Sequence, residues 1–134
     1  MSRQRELPTG AQLLGFFHTI RNRRKEKVMA SELFNKGLVV RKEVLGEAYV
    51  EKSIKGADEF ALAMQEFATE AAWGSIWTRP GLPRKTRSLL NIAMLTIMNR
   101  QHELKLHIRS SFTNGVTKDE IKEVLLQVAA YAGV

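Results

Sequence analysis

Between residues 32 and 132 the apolar positions recur three and four apart, and no run alternates as a half-buried strand requires. Leu33, Phe34, Leu38, Val39 and Leu45 predict a helix over 32–45, stopped by Gly46. Residues 48–56 read as a connector. Asp58 is placed to cap a helix reaching about residue 77, with Phe60, Ala61, Met64, Phe67, Ala68 and Ala71 along one side. Arg79-Pro80-Gly81-Leu82-Pro83 then breaks the pattern, because a proline pushes the residue before it out of helical backbone. A helix over 84–98 is apolar around most of its circumference, through Leu89, Leu90, Ile92, Ala93, Leu95, Thr96 and Ile97. Such a helix belongs in the middle of a bundle or at a subunit interface. Next comes a helix over 101–113, ended by Asn114-Gly115. Thr117 and Glu120 form a capping box for the last helix, whose apolar face is Ile121, Val124, Leu125, Val128 and Ala132. The expectation is an all-α helical bundle, with Met64, Met94 and Met98 filling its core.

Composition narrows the chemistry more than the fold. The 134 residues suit one domain with a modest core, and no apolar run is long enough to span a membrane. There is no cysteine, which removes disulfides, thiolate metal ligands and thiol catalysis, and which fits a reducing cytoplasm. The three histidines, His18, His102 and His107, stand in no metal-ligand spacing, so no metal site is expected. The net charge of +7 suggests nucleic acid until its distribution is read. Residues 1–30 hold seven basic side chains against two acidic ones, so +5 of that charge belongs to a basic N-terminal extension. The domain over 31–134 is nearly balanced and lacks the basic face that a nucleic-acid partner needs. The extension, with Leu13, Leu14, Phe16, Phe17 and Ile20 before its basic cluster, reads as an accessory segment; a membrane-surface or targeting helix is the alternative.

Candidate chemistry gathers in two segments. In 73–88 both tryptophans, Trp73 and Trp77, stand close to Arg79, Arg84 and Arg87 across a Pro-Gly-x-Pro turn. Indoles give an apolar wall, and guanidinium groups grip carboxylates in a planar, two-pronged way. The combination suits a small dianion. Core packing is the commoner use of Trp73, pocket lining is plausible for Trp77, and helix-start or inter-subunit ion pairs remain open for Arg79 and Arg87. Glu103 and His107 then lie one helical turn apart. By spacing alone such a pair is usually an ordinary surface pair, and His102 points elsewhere, to solvent.

The blocks W-G-x-x-W-x-R-P-G-L-x-R-x-x-R-S over 73–88, Glu103-Leu104-Lys105-Leu106-His107, 114–127 and Tyr131-Ala132-Gly133 occur in that order. Together with Arg41-Lys42-Glu43-Val44-Leu45-Gly46, they resemble the carboxymuconolactone decarboxylase family over roughly 32–134. The resemblance implies a helical bundle of the alkylhydroperoxidase-like type. It also implies cofactor-free loss of CO2 from 4-carboxymuconolactone in protocatechuate (β-ketoadipate) catabolism. That substrate is its own electron sink: the electron pair left by CO2 runs through a C=C bond into the lactone carbonyl. The protein must orient two carboxylates, steady the developing oxyanion and deliver a proton to carbon.

On the resemblance, Glu103 and His107 are catalytic and Trp73, Trp77, Arg79 and Arg87 bind the dicarboxylate lactone, with no metal and no cofactor. His107 is the expected proton donor, and Glu103 orients it or relays the proton. The resemblance further implies a homo-oligomer, a hexamer or trimer, and a further helix after the segment matching Tyr131-Ala132-Gly133. The thiol branch of the same superfamily carries Cys-x-x-Cys-x-x-x-His, and here Arg100 and Glu103 stand at the cysteine places. Thiol peroxidase chemistry is thereby excluded. Two alternatives stand beside the decarboxylase: the same scaffold acting on another small lactone or keto acid, and a binding or assembly protein with a basic arm.

Overall fold

Helix α1 (Glu32–Leu45) starts where Ser31 accepts a hydrogen bond from the Phe34 N–H at 3.0 Å. It ends at Gly46, whose φ of 92° is a conformation that side chains resist. In the computed structural model, which describes residues 31–133, six α-helices follow one another with no strand among the described residues. The extension read over 1–30 lies outside the described residues.

The expected connector over 48–56 is instead a helix, α2 (Glu47–Lys55). Its apolar signal is thin, with Val50 alone fully buried, but its charges suit a helix. Glu47 occupies the first turn and Lys52 and Lys55 the last, complementing the backbone dipole. Lys42 of α1 joins the two helices by reaching Glu47 at 2.9 Å and Glu51 at 3.1 Å.

Asp58 caps α3 (Glu59–Ala68) by accepting from the Ala61 N–H at 2.8 Å, as its sequence predicts. Past Ala68 the helix widens into a π-helix, Thr69–Trp77, in which each N–H reaches back five residues. The widening begins where the Thr69 hydroxyl donates to the Gln65 carbonyl at 2.7 Å and competes for an acceptor of the α-helical ladder. Here α1 and the π-helix meet backbone to backbone. A Cβ on Gly37 would stand 2.3 Å from the Thr69 carbonyl oxygen, and one on Gly74 would stand 2.4 Å from that of Leu33.

After the Pro-Gly-x-Pro turn, α4 (Arg84–Ile97) packs on α5 (Gln101–Ser111) and on α6 (Lys118–Ala132). A short 3-10 turn, Phe112–Asn114, closes α5, and left-handed Gly115 reverses the chain. The capping box of α6 forms as expected: the Glu120 N–H donates to the Thr117 hydroxyl at 3.2 Å, and the Thr117 N–H to the Glu120 carboxylate at 2.8 Å.

Two apolar clusters result. One joins α1 to the π-helix through Val40, Val44, Trp73 and Trp77. The other joins α4, α6 and the loop before α6 through Ile92, Val116 and Ile121, with Leu104 and Ile108 of α5 against it. Two expected packing faces differ. Phe60, Met64 and Phe67 of α3 are exposed, as are Leu90, Met94, Ile97 and Met98 along α4. The described residues cover a single side of each helix, so among them α4 is not the middle of a bundle. The three methionines expected in the core, Met64, Met94 and Met98, therefore face outward.

Candidate active site

Trp73 of the π-helix and His107 of α5 come together beside the first cluster. In the wider π turn, residues four apart come close to eclipsing, and the Trp73 and Trp77 rings stack with centroids 4.8 Å apart and planes 27° apart. Both are buried, so the core use foreseen for Trp73 extends to Trp77. The His107 imidazole lies parallel to the outer face of this pair. Its centroid is 6.4 Å from that of Trp73, and the two planes differ by 6°.

Burial against the indole pushes the His107 pKa below its ordinary value, because the charged imidazolium loses water that the indole does not replace. The negative charge of Glu103 offsets part of that shift. The Glu103 carboxylate nonetheless turns to Arg100, which it meets at 3.0 Å. Its pKa is held down first by a hydrogen bond from its own backbone N–H, and further by Arg100. Glu103 and His107 therefore share a helix face and an electrostatic coupling, and their link is charge rather than a direct bond.

The side chain found against His107 is Asn91, whose amide nitrogen is 3.5 Å from Nδ1. Sequence reasoning missed it. The available signal was a lone amide inside the apolar run Leu89-Leu90-Asn91-Ile92-Ala93, one turn after Arg87. Arg87 is itself buried: it donates to the Arg79 carbonyl at 3.0 Å, and its Nε has no partner. Arg79 is exposed, with no carboxylate in reach among the described residues. Arg84, by contrast, spends its guanidinium on Glu43 at 2.7 Å. His102 is exposed, as expected.

The second missed residue is Arg41, buried between α1 and the π-helix. Its guanidinium donates to the Thr69 hydroxyl at 2.9 Å and to the Gln65 amide oxygen at 2.6 Å, and burial lowers its pKa. It braces the start of the π segment with neutral partners. Open clefts of about 340 and 410 Å³ lie beside α2, and none of the candidate site residues lines them. Among the described residues, no three metal-ligating side chains come together. No helix there is long and apolar enough to cross a membrane.

The arrangement provides a partly desolvated imidazole beside Trp73 and Asn91, and among the described residues no carboxylate pairs with Arg79 or Arg87. It can give a proton to a small anion.

Two kinds of similarity bear on it, a family profile and individual relatives. The sequence profile of the Carboxymuconolactone decarboxylase family matches residues 63–134. A 4-carboxymuconolactone decarboxylase of Acinetobacter baylyi is 50% identical over 101 residues, which are 75% of each chain. A nitrosuccinic acid decarboxylase of Metarhizium robertsii is 48% identical over 101 residues, 75% of this chain and 71% of that one. An uncharacterized 15.0 kDa protein of Paracoccus denitrificans shares 33% identity over 67 residues, 48% of this chain and 50% of its own.

Proposed function

This chain belongs to the carboxymuconolactone decarboxylase family, and from that premise we propose that it is a carboxy-lyase converting 4-carboxymuconolactone to 3-oxoadipate enol-lactone and CO2. The observation that carries the mechanism is the seat of His107, half-buried and flat against Trp73. The C–CO2 bond breaks and its electron pair flows through the ring C=C bond into the lactone carbonyl. His107 then gives a proton to the ring carbon. An imidazolium made less stable by burial is the stronger acid, which suits that transfer. The negative charge of Glu103 offsets part of the burial and so favours the return of the proton to His107. Arg87 and Arg79 hold the substrate carboxylates, and the buried Trp73–Trp77 pair backs the site from behind His107. No metal or organic cofactor is required, since the substrate accepts its own electrons.

The test uses lactone made enzymatically from 3-carboxymuconate, with release of CO2 or enol-lactone followed. Turnover well above the spontaneous rate is expected. His107→Asn should lower it at least about a hundredfold, the usual scale for a proton-transfer group. Arg87→Lys keeps the charge and loses the two-pronged grip, so KM should rise more than kcat falls. No turnover by folded full-length protein would overturn the proposal.

A second reading comes from the nitrosuccinic acid decarboxylase relative. Nitrosuccinate is also a dicarboxylate, and loss of CO2 beside its nitro group would pass the electron pair to the nitro oxygens. The same imidazole would then protonate carbon. Competition between the two substrates decides between the readings, by the larger kcat/KM.

The proposal extends to assembly and setting. The outward Leu90, Met94 and Ile97 lie on the helix that carries Arg87 and Asn91, which supports a homo-oligomer, trimeric or hexameric, with pockets close to subunit boundaries. Residues 1–30 are an accessory extension to this catalytic unit, and the cysteine-free chain suits the cytoplasm.

A further inference from the structure

His107 would be expected to take its orientation from an acid, and the nearest acid is otherwise engaged. Glu103 faces Arg100 at 3.0 Å. On α4 the buried charge is Arg87, one turn before Asn91, and it points to the Arg79 carbonyl. On α1 it is Arg41, turned to Thr69 and Gln65. The π-helix presents Trp73, and its own acid, Glu70, is bound by the Ser31 hydroxyl. What reaches the imidazole is the Asn91 amide, at Nδ1.

We propose that Asn91 is the positioning residue of His107, holding Nδ1 so that the proton to be delivered is carried on Nε2. This rests on His107 being the proton donor of the decarboxylation. An amide N–H can meet only an unprotonated Nδ1, so the neutral ring is fixed as the Nε2–H tautomer. When the ring takes a second proton, Nδ1–H becomes a donor, and the amide turns to offer its oxygen. Delivery of the Nε2 proton from the imidazolium leaves the ring as Nδ1–H, still donating to the amide oxygen. Uptake of a solvent proton at Nε2 and release of the Nδ1 proton return it to the resting Nε2–H form, so a neutral amide serves every state of the cycle. A carboxylate in its place would bind the imidazolium and oppose proton release. Trp73 fixes the plane of the ring and Asn91 fixes its rotation within that plane.

Nitrogen-15 NMR of histidine-labelled protein, without substrate, tests this, with the His107 signals assigned by their loss in His107→Asn. The wild-type neutral ring should be the Nε2–H tautomer. In Asn91→Leu it should become a mixture, with kcat for the lactone falling roughly ten- to a hundredfold and KM nearly unchanged. In the near-isosteric Asn91→Asp the ring should stay ordered, with its titration moved to higher pH and the pH–rate profile moved with it. An unchanged tautomer and unchanged titration in folded Asn91→Leu and Asn91→Asp would overturn the assignment. Because the NMR readout needs no substrate, a protein that turns over no lactone still tests it. Normal turnover with unmoved His107 signals would instead sink the positioning role and leave the decarboxylase reading in place.

Discussion

Along one continuous helical stretch, Phe60, Met64 and Phe67 stand 84%, 57% and 66% exposed, whereas Trp73 and Trp77 are buried at 6% and 7%. Both halves carry large apolar side chains at helical spacing, so hydrophobicity does not separate them. What separates them is α1. Gly37 and Gly74 let the two backbones touch beside the π-helix, and that approach seals the tryptophans under Val40 and Val44. Among the described residues no such partner covers the Phe60, Met64 and Phe67 side of α3. The covered half received the ordered indole pair and, through it, the plane of the candidate catalytic imidazole. The other half keeps its large apolar side chains exposed among the described residues.

The largest expected contrast between the halves is thermodynamic. Trp73→Ala removes an aromatic from the α1 cluster and the wall under His107, and should cost about 3–5 kcal/mol in urea unfolding. Phe67→Ala, measured at protein concentrations low enough to keep chains apart, should change stability by no more than about 0.5 kcal/mol. Similar costs at the two sites would break the comparison, and would mean that α3 is covered after all.

Assembly gives the next contrast. If the outer stripe of α3 and α4 is a subunit interface, wild-type protein at micromolar concentration should sediment at several times 15.2 kDa. Phe60→Ser combined with Phe67→Ser should shift it toward that single-chain mass while leaving its helical circular dichroism intact. A wild-type monomer would sink the oligomer. An undisturbed oligomer in the double variant would move the interface from α3 to the Leu90–Met94–Ile97 face.

How much of this was legible beforehand follows from what each signal encodes. Caps and breakers are local, so Asp58, Gly46, the Pro80–Pro83 turn and the Thr117–Glu120 box fix their helix ends within a residue or two. Helix α2 escaped because its apolar content is nearly confined to Val50, and capping charges are a weaker cue than periodicity. Apolar periodicity says that a face is to be covered and not by what. That is why the periodicity places Met64, Met94 and Met98 in a core that the described residues do not build. The π widening depends on Thr69, Arg41 and a glycine contact across two helices, none of which a window along one helix reveals. In the site, Trp73 stacks on Trp77 and lies parallel to His107, which brings together the two segments that carry them. The turn of Glu103 toward Arg100, and the place of Asn91, depend on how α4 and α5 pack.

The smallest effect is a matter of pH, and it asks whether the covered half truly desolvates His107. Burial lowers the pKa of this ring in the folded chain from its ordinary 6.5. As pH falls through 6.5, the unfolded chain binds a proton that the folded one resists, so folding should be fully favoured above that pH. Stability from this group is then lost as pH falls toward the folded-state pKa, and levels off below it. Difference unfolding curves between wild type and His107→Asn isolate this slope, which should vanish in the variant. A slope of opposite sign, with stability rising as pH falls, would mean that His107 is held as a cation and that Glu103 outweighs burial. Glu103→Gln sharpens the same point, because it removes the charge that raises the pKa of His107. The window of lost stability should then extend to lower pH. If the imidazolium is the acid that protonates carbon, the fall of kcat/KM with rising pH should move to lower pH in the same variant. Movement of the stability window without movement of the rate profile would leave His107 desolvated as described and assign the proton to another group.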